Sequence, residues 1–145
     1  SLYYGDGNSI KKAWTGNLDV TVPIQADVLP AFNYFGNKAR NKYFTMVRPY
    51  LQSTGTPSVL YGLNTDFNLS DPQGSLSYTP PTGMVWGSMV WGSMVWGGGL
   101  TGITAWQTVG AVCNSAAVRL KIQNNGSDVR FTNIDYLYQQ GQSVL

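Results

Sequence analysis

Read for its alternation of apolar and polar positions, the chain is a succession of short strands. In residues 18–24 (LDVTVPI), Leu18, Val20, Val22 and Ile24 alternate with Asp19, Thr21 and Pro23, the period of two that a half-buried strand requires. Pro23 has no amide hydrogen to give a ladder, so this strand is predicted to end there or to lie at an edge. A loop over residues 36–42 leads into a strand over 43–51. Tyr43, Thr45, Val47 and Pro49 share one of its faces, and Phe44, Met46, Arg48 and Tyr50 share the other. Both faces are largely apolar, which predicts cover on both sides, from a second sheet or another subunit. A turn through QSTGTP then precedes SVLYGLNTDFNL, with Val59, Tyr61 and Leu63 opposite Leu60, and DPQG gives the next turn. Up to this point the pattern reads as a four-stranded meander.

The last third alternates most cleanly. A strand is predicted over 105–112, and Asn114-Ser115 mark a turn. In AAVRLKIQNN, Val118, Leu120 and Ile122 point inward while Arg119, Lys121 and Gln123 point out. NNGSD reads as a hairpin turn with Gly126 at positive φ, and VRFTNIDYLYQQ as the returning partner strand. Val129 and Phe131 share one parity but Ile134, Tyr136 and Tyr138 the other, which predicts a bulge near Thr132 or Asn133. The expected fold is all-β, an antiparallel β-sandwich of jelly-roll-like type. Residues 1–16 read as a turn-rich lead-in that packs on the domain through Tyr3, Tyr4 and Trp14, and residues 17–145 as a single sandwich domain.

Residues 84–96 break the pattern with MVWGS, MVWGS and MVW in tandem, between Pro80-Pro81 and Gly97-Gly98-Gly99. A five-residue period is too short for a solenoid repeat, which must supply a supersecondary unit of about twenty residues or more. In an extended chain an odd period puts Trp86 and Trp96 on one face and Trp91 on the other. The segment reads as an arm projecting from the sandwich. Met84, Trp86, Met89, Trp91, Met94 and Trp96 are its candidate interaction residues, because an apolar surface of this kind marks an interface when left exposed. A packed edge hairpin or core strand pair, a subunit contact, and contact with lipid or sugar all remain open for it.

Composition supports strands and narrows the chemistry. Glutamate is absent and glycine numbers 17, which disfavours long helices. A net charge of +2 is too weak a field to predict a specific nucleic-acid partner. No apolar run is long enough to cross a bilayer as a helix, and the lack of Met at position 1 points to a piece of a longer chain. Cys113, the single cysteine, reads as a small buried residue.

With no histidine, no glutamate and one cysteine, neither a zinc constellation nor the commonest general base can be drawn, and no catalytic residue, cofactor or metal is predicted. Asp66 and Asp71 are the only pair that invites an acid/base reading, and their contexts, NTDF and LSDP, favour capping of backbone amides. GDGN at residues 5–8 lacks the later ligands of a calcium loop. Lys38, Arg40 and Lys42 beside Phe35, Tyr43 and Phe44 read as a solvated basic loop, not a track for single-stranded nucleic acid.

FNYFGNKARNKYFTMVRPYLQSTG followed by LYGLNTDF, and the ending AWQTVGAVCNSAAVRLKIQNNGSDVRFTNIDYLYQQGQSVL, resemble the C-terminal region of tail structural proteins of tailed bacteriophages, of the tail-hub or DNA-stabilisation type. The resemblance covers chiefly residues 32–67 and 104–145, and the MVWGS repeat departs from it. It implies a non-enzymatic virion component, located in the phage tail, that meets other copies of itself or other virion proteins through β-rich domains. A second reading is a carbohydrate-binding module for bacterial surface glycans, which calls for coplanar exposed aromatic rings flanked by Asn or Asp.

Overall fold

The computed structural model describes residues 2–12, 16–19, 22–76, 101–103 and 105–141. The described residues hold strands β1 (Tyr3–Asp6), β2 (Ser9–Lys12), β3 (Leu18–Asp19), β4 (Val22–Pro23), β5 (Gln25–Val28), β6 (Lys42–Ser53), β7 (Ser58–Thr65), β8 (Gly74–Leu76), β9 (Thr101–Ile103), β10 (Gln107–Cys113), β11 (Ala116–Gln123) and β12 (Val129–Gln140). All pairings are antiparallel. Two four-stranded sheets carry the fold. One runs β5-β11-β7-β8; in the other, β6 is flanked by β12 along one edge and by β10 and then β9 along the opposite edge.

The inner faces of the two sheets share one core. Val47, Leu51 and Ile103 of one sheet meet Val59, Leu76, Val118, Leu120 and Ile122 of the other in a sandwich-like arrangement. The predicted inward set of β11 is buried as expected, with Arg119 and Lys121 on the wet side. Burying side chains of this size contributes about 1.5–3 kcal/mol each, which is what holds two otherwise two-faced sheets together.

Chain geometry follows from a few local features. β10 pairs with β6 only as far as Val47 and β9 begins opposite Leu51, so that edge of β6 is interrupted around Pro49, a residue with no N–H to offer a ladder. The bulge foreseen from the parity change in β12 is present, with the register shifting between Phe131 and Asn133. A second irregularity was not foreseen. Thr45 is the extra residue of β6 against β12, while in the β10 ladder Val109 and Gly110 stand against it alone, so Phe44 joins Val47 and Leu51 on the inner face. Tyr43, Met46, Arg48 and Tyr50 are left outside, and the face assignment read from strict alternation over 43–51 is corrected accordingly.

Other expectations are corrected too. Residues 18–24 do not form one strand: Leu18 pairs with Pro23 and Asp19 with Val22 in a two-residue ladder, and β5 follows. β12 is not the hairpin partner of β11, because β5 and β7 already occupy both edges of β11. The turn with Asn125 at φ 49° and Gly126 at φ 79° instead carries the chain across to the other sheet. β6 and β7 likewise lie in different sheets, so the first strands are not a meander. The lead-in contains a hairpin, β1–β2, on which Tyr3 and Tyr4 are exposed instead of buried against the domain, while Trp14 lies outside the described residues.

Candidate interaction surface

The outer faces of the two sheets differ in kind. On the β5-β11-β7-β8 sheet the outward cations of β11 are all engaged. Arg119 grips Asp27 with Nε at 2.9 Å and Nη2 at 2.6 Å, and Asp71 lies 2.9 Å from both Arg119 and Lys121. These partners hold the Asp27 and Asp71 carboxyls below the ordinary carboxylate range, through hydrogen bonds from Arg119 and Lys121 respectively. The result is a polar, neutralised, water-facing surface.

The first rows of the outer face of the β10-β6-β12 sheet are largely apolar, with exposed Thr108 opposite Met46 and Gln139 opposite Tyr43 as their polar members. Val112 pairs with Tyr43, and Met46 pairs with Leu137. These four are 64%, 45%, 37% and 50% exposed, an apolar ledge spanning three adjacent strands. The Thr45 bulge creates it by turning Tyr43 and Met46 to the same side.

Next to the ledge, Arg48 lies opposite Asp135 in register and donates to it from Nη2 at 2.6 Å and Nε at 3.2 Å. Tyr50 donates its hydroxyl to the same Asp135 oxygen at 2.9 Å. The guanidinium sits between two rings, 4.9 Å from the Tyr50 centroid and 4.5 Å from that of Trp106. Trp106 lies in the gap between β9 and β10. Hydrogen bonds from Arg48 and Tyr50 hold the Asp135 carboxyl low, while burial and the bond to Asp135 push the Tyr50 phenol up. Asp135 therefore stays ionised at neutral pH and Tyr50 stays a donor to it.

Asp66 behaves as the capping reading predicts. Its carboxylate accepts from the amides of Asn114 at 3.0 Å and Ser115 at 2.9 Å, bracing the β10–β11 turn against the end of β7. Asp71 is taken up by the ion pairs above, so the two carboxylates serve different partners. Cys113 is buried, and burial pushes its thiol up to about 11. The basic-loop reading needs correction at Lys42, which is fully buried. Its ammonium donates to the carbonyls of Asn37, Arg40 at 3.0 Å and Asn114 at 3.1 Å, stitching the preceding loop to the β10–β11 turn. Lys38 and Arg40 are exposed as expected, Lys38 over the Tyr34 ring at 5.2 Å.

Exposed Phe67 gathers Phe32 and Tyr34, but the rings are tilted at 33° and 56° to it and do not form the coplanar platform that a sugar-stacking site calls for. Met84, Trp86, Met89, Trp91, Met94 and Trp96, together with the rest of the repeat, lie outside the described residues. Sequence reasoning missed the ledge because Val112 and Leu137 each look like ordinary strand residues. The only hint was the surplus of apolar side chains on both predicted faces of 43–51. Compared with protein-family models, curated proteins and solved structures, the chain gives no match.

Proposed function

We propose that this chain is a non-enzymatic structural domain whose work is to pack against neighbouring subunits, as a virion component of the tailed-phage type that its sequence resembles. The carrying observation is the asymmetry of the two outer faces. One is covered by ion pairs, and the other offers the Tyr43, Met46, Val112 and Leu137 ledge beside an arginine held between two rings. Interfaces favour this composition, with aromatic residues, Met and Arg enriched over Lys and Asp.

The strand order supports the jelly-roll reading of the fold. β7 pairs with β8, β6 with β10 and β5 with β11, each pair nested inside the next, as when one long hairpin is rolled into two sheets. β12 is then the outermost strand of the roll, and a jelly roll pairs that strand with one that precedes β5. Among the described residues no strand occupies that place.

Oxidative footprinting tests the assembly role. Met46 and Tyr43 are expected to react freely in dilute solution and to be protected as the protein is concentrated, while exposed Phe67, outside the ledge, stays reactive. Equal reactivity of Met46 at all concentrations would refute the ledge as a subunit contact.

A further inference from the structure

The jelly-roll order leaves one position that no described strand fills, and its surroundings are built for a strand. β12 is twelve residues long and pairs with β6 on one edge only, so its other edge presents backbone donors and acceptors with no partner strand among the described residues. Beside that edge the sandwich is open. A cleft of about 320 Å³ separates β12 from β5, lined on its inner walls by Val28, Ile122, Val129 and Phe131. Phe131 faces this interior and still is 36% exposed.

The chain cannot fill the vacancy with the residues just before β5 while they are held as they are. Asn124 takes the amide of Ile24 on its Oδ1 at 2.9 Å, its own amide reaches the Ile24 carbonyl, and its Nδ2 donates to the carbonyl of Asn17. Asn17 in turn donates to Gly126 at 3.3 Å. Both ends of the 17–24 segment are thus pinned to one turn at the mouth of the cleft, and β3 and β4 fold back on each other between the pins. What precedes the pins is β1–β2, a hairpin that pairs with none of the described strands of the sandwich and exposes Leu2, Tyr3, Tyr4 and Ile10, the last 82% accessible. A two-stranded hairpin is marginal in water unless it packs on something.

We infer that the free edge of β12 and the cleft beside it receive the N-terminal hairpin β1–β2 of a second copy of this chain. The hairpin extends the β10-β6-β12 sheet by strand addition, and its apolar side chains close the cleft. Each copy has one hairpin to give and one edge to fill, so the contact is head-to-tail unless two copies exchange hairpins about a two-fold axis. This deepens the assembly reading above and rests on it, through a contact separate from the ledge.

Mixing two single variants of the full chain tests the inference, Ile10→Cys carrying a mass tag and Phe131→Cys without one. Under mild oxidation a disulfide between positions 10 and 131 of differently tagged copies is expected. Ile10→Asp, at a position that is little buried in its own fold, is expected to weaken self-association about tenfold or more, the loss of burying one isoleucine, without moving the thermal midpoint. A 10–131 linkage that forms only within one copy of the double variant overturns the inference in favour of closure by the chain's own hairpin. Self-association that survives Ile10→Asp and gives no 10–131 linkage also overturns it, while leaving the assembly reading intact. A chain that does not self-associate at all overturns both.

Discussion

Replacing Lys42 by methionine keeps the apolar stem and removes the ammonium that three carbonyls share. In the native fold those carbonyls belong to Asn37 and Arg40, just before β6, and to Asn114, seventy-two positions from the lysine in sequence. Hydrogen bonds to a charged donor are worth about 1.5–3 kcal/mol each, and an acceptor left buried without a donor costs a similar amount. Two effects reduce the total. Burying a cation without a counter-ion carries its own penalty, which the methionine escapes, and the loop can open to let water reach the freed carbonyls. A net loss of about 2–3 kcal/mol is expected, which for a domain of this size lowers the melting temperature by about 5–10 °C. Thermal unfolding followed by near-ultraviolet circular dichroism measures it, with Lys38→Met, at an exposed position of the same loop, as the control expected within about 0.5 kcal/mol of wild type. A Lys42→Met protein as stable as the control would refute the reasoning, because it would mean that the ammonium bonds only offset its burial.

Gly74→Ala places a methyl 2.5 Å from the Tyr61 ring that lies across the β7–β8 ladder, and should cost about 1–3 kcal/mol in urea unfolding, whereas Gly102→Ala, which meets nothing within 4 Å, should be close to neutral. Acid should destabilise the fold through Asp27, Asp71 and Asp135, whose folded carboxyls titrate below the ordinary 3.8. Their contribution is therefore complete above that value and is lost as pH falls through the lowered ones, giving a midpoint that is flat near neutrality and drops below about pH 4. A midpoint unchanged to the lowest accessible pH would contradict this, and Asp135→Asn should flatten the drop. Deleting one MVWGS unit should leave the thermal midpoint nearly unchanged while weakening self-association; loss of folding would place the repeat in the core.

Alternation was informative where a strand has one wet face and misleading where it has none. Val118, Leu120 and Ile122 separate from Arg119 and Lys121 in sequence as they do in space, so β11 and its inward face were legible. The parity change between Phe131 and Ile134 likewise announced the β12 bulge. The Thr45 bulge had no such signature, because apolar residues stand on both sides of it, and a one-residue shift changes every face without changing the pattern. Asn125-Gly126 signalled a tight turn correctly, yet a turn does not say whether the next strand stays in the same sheet. That depends on whether the edge of β11 is free, which residues far away in sequence decide. Lys42 looked solvated for the same reason, since one of its three acceptors is supplied by a distant turn. The ledge joins β10, β6 and β12, and only their pairing brings its four residues together.

The account turns on the claim that this domain works by contacts between copies of itself. Sedimentation velocity of the full chain over a wide range of concentration tests it most directly. The account predicts a weight-average mass that rises from that of the 15.8 kDa chain toward a multiple of it, and a smaller rise for Leu137→Glu, which puts a charge on the ledge. A single species at 15.8 kDa at every concentration, unchanged by Leu137→Glu, would contradict it.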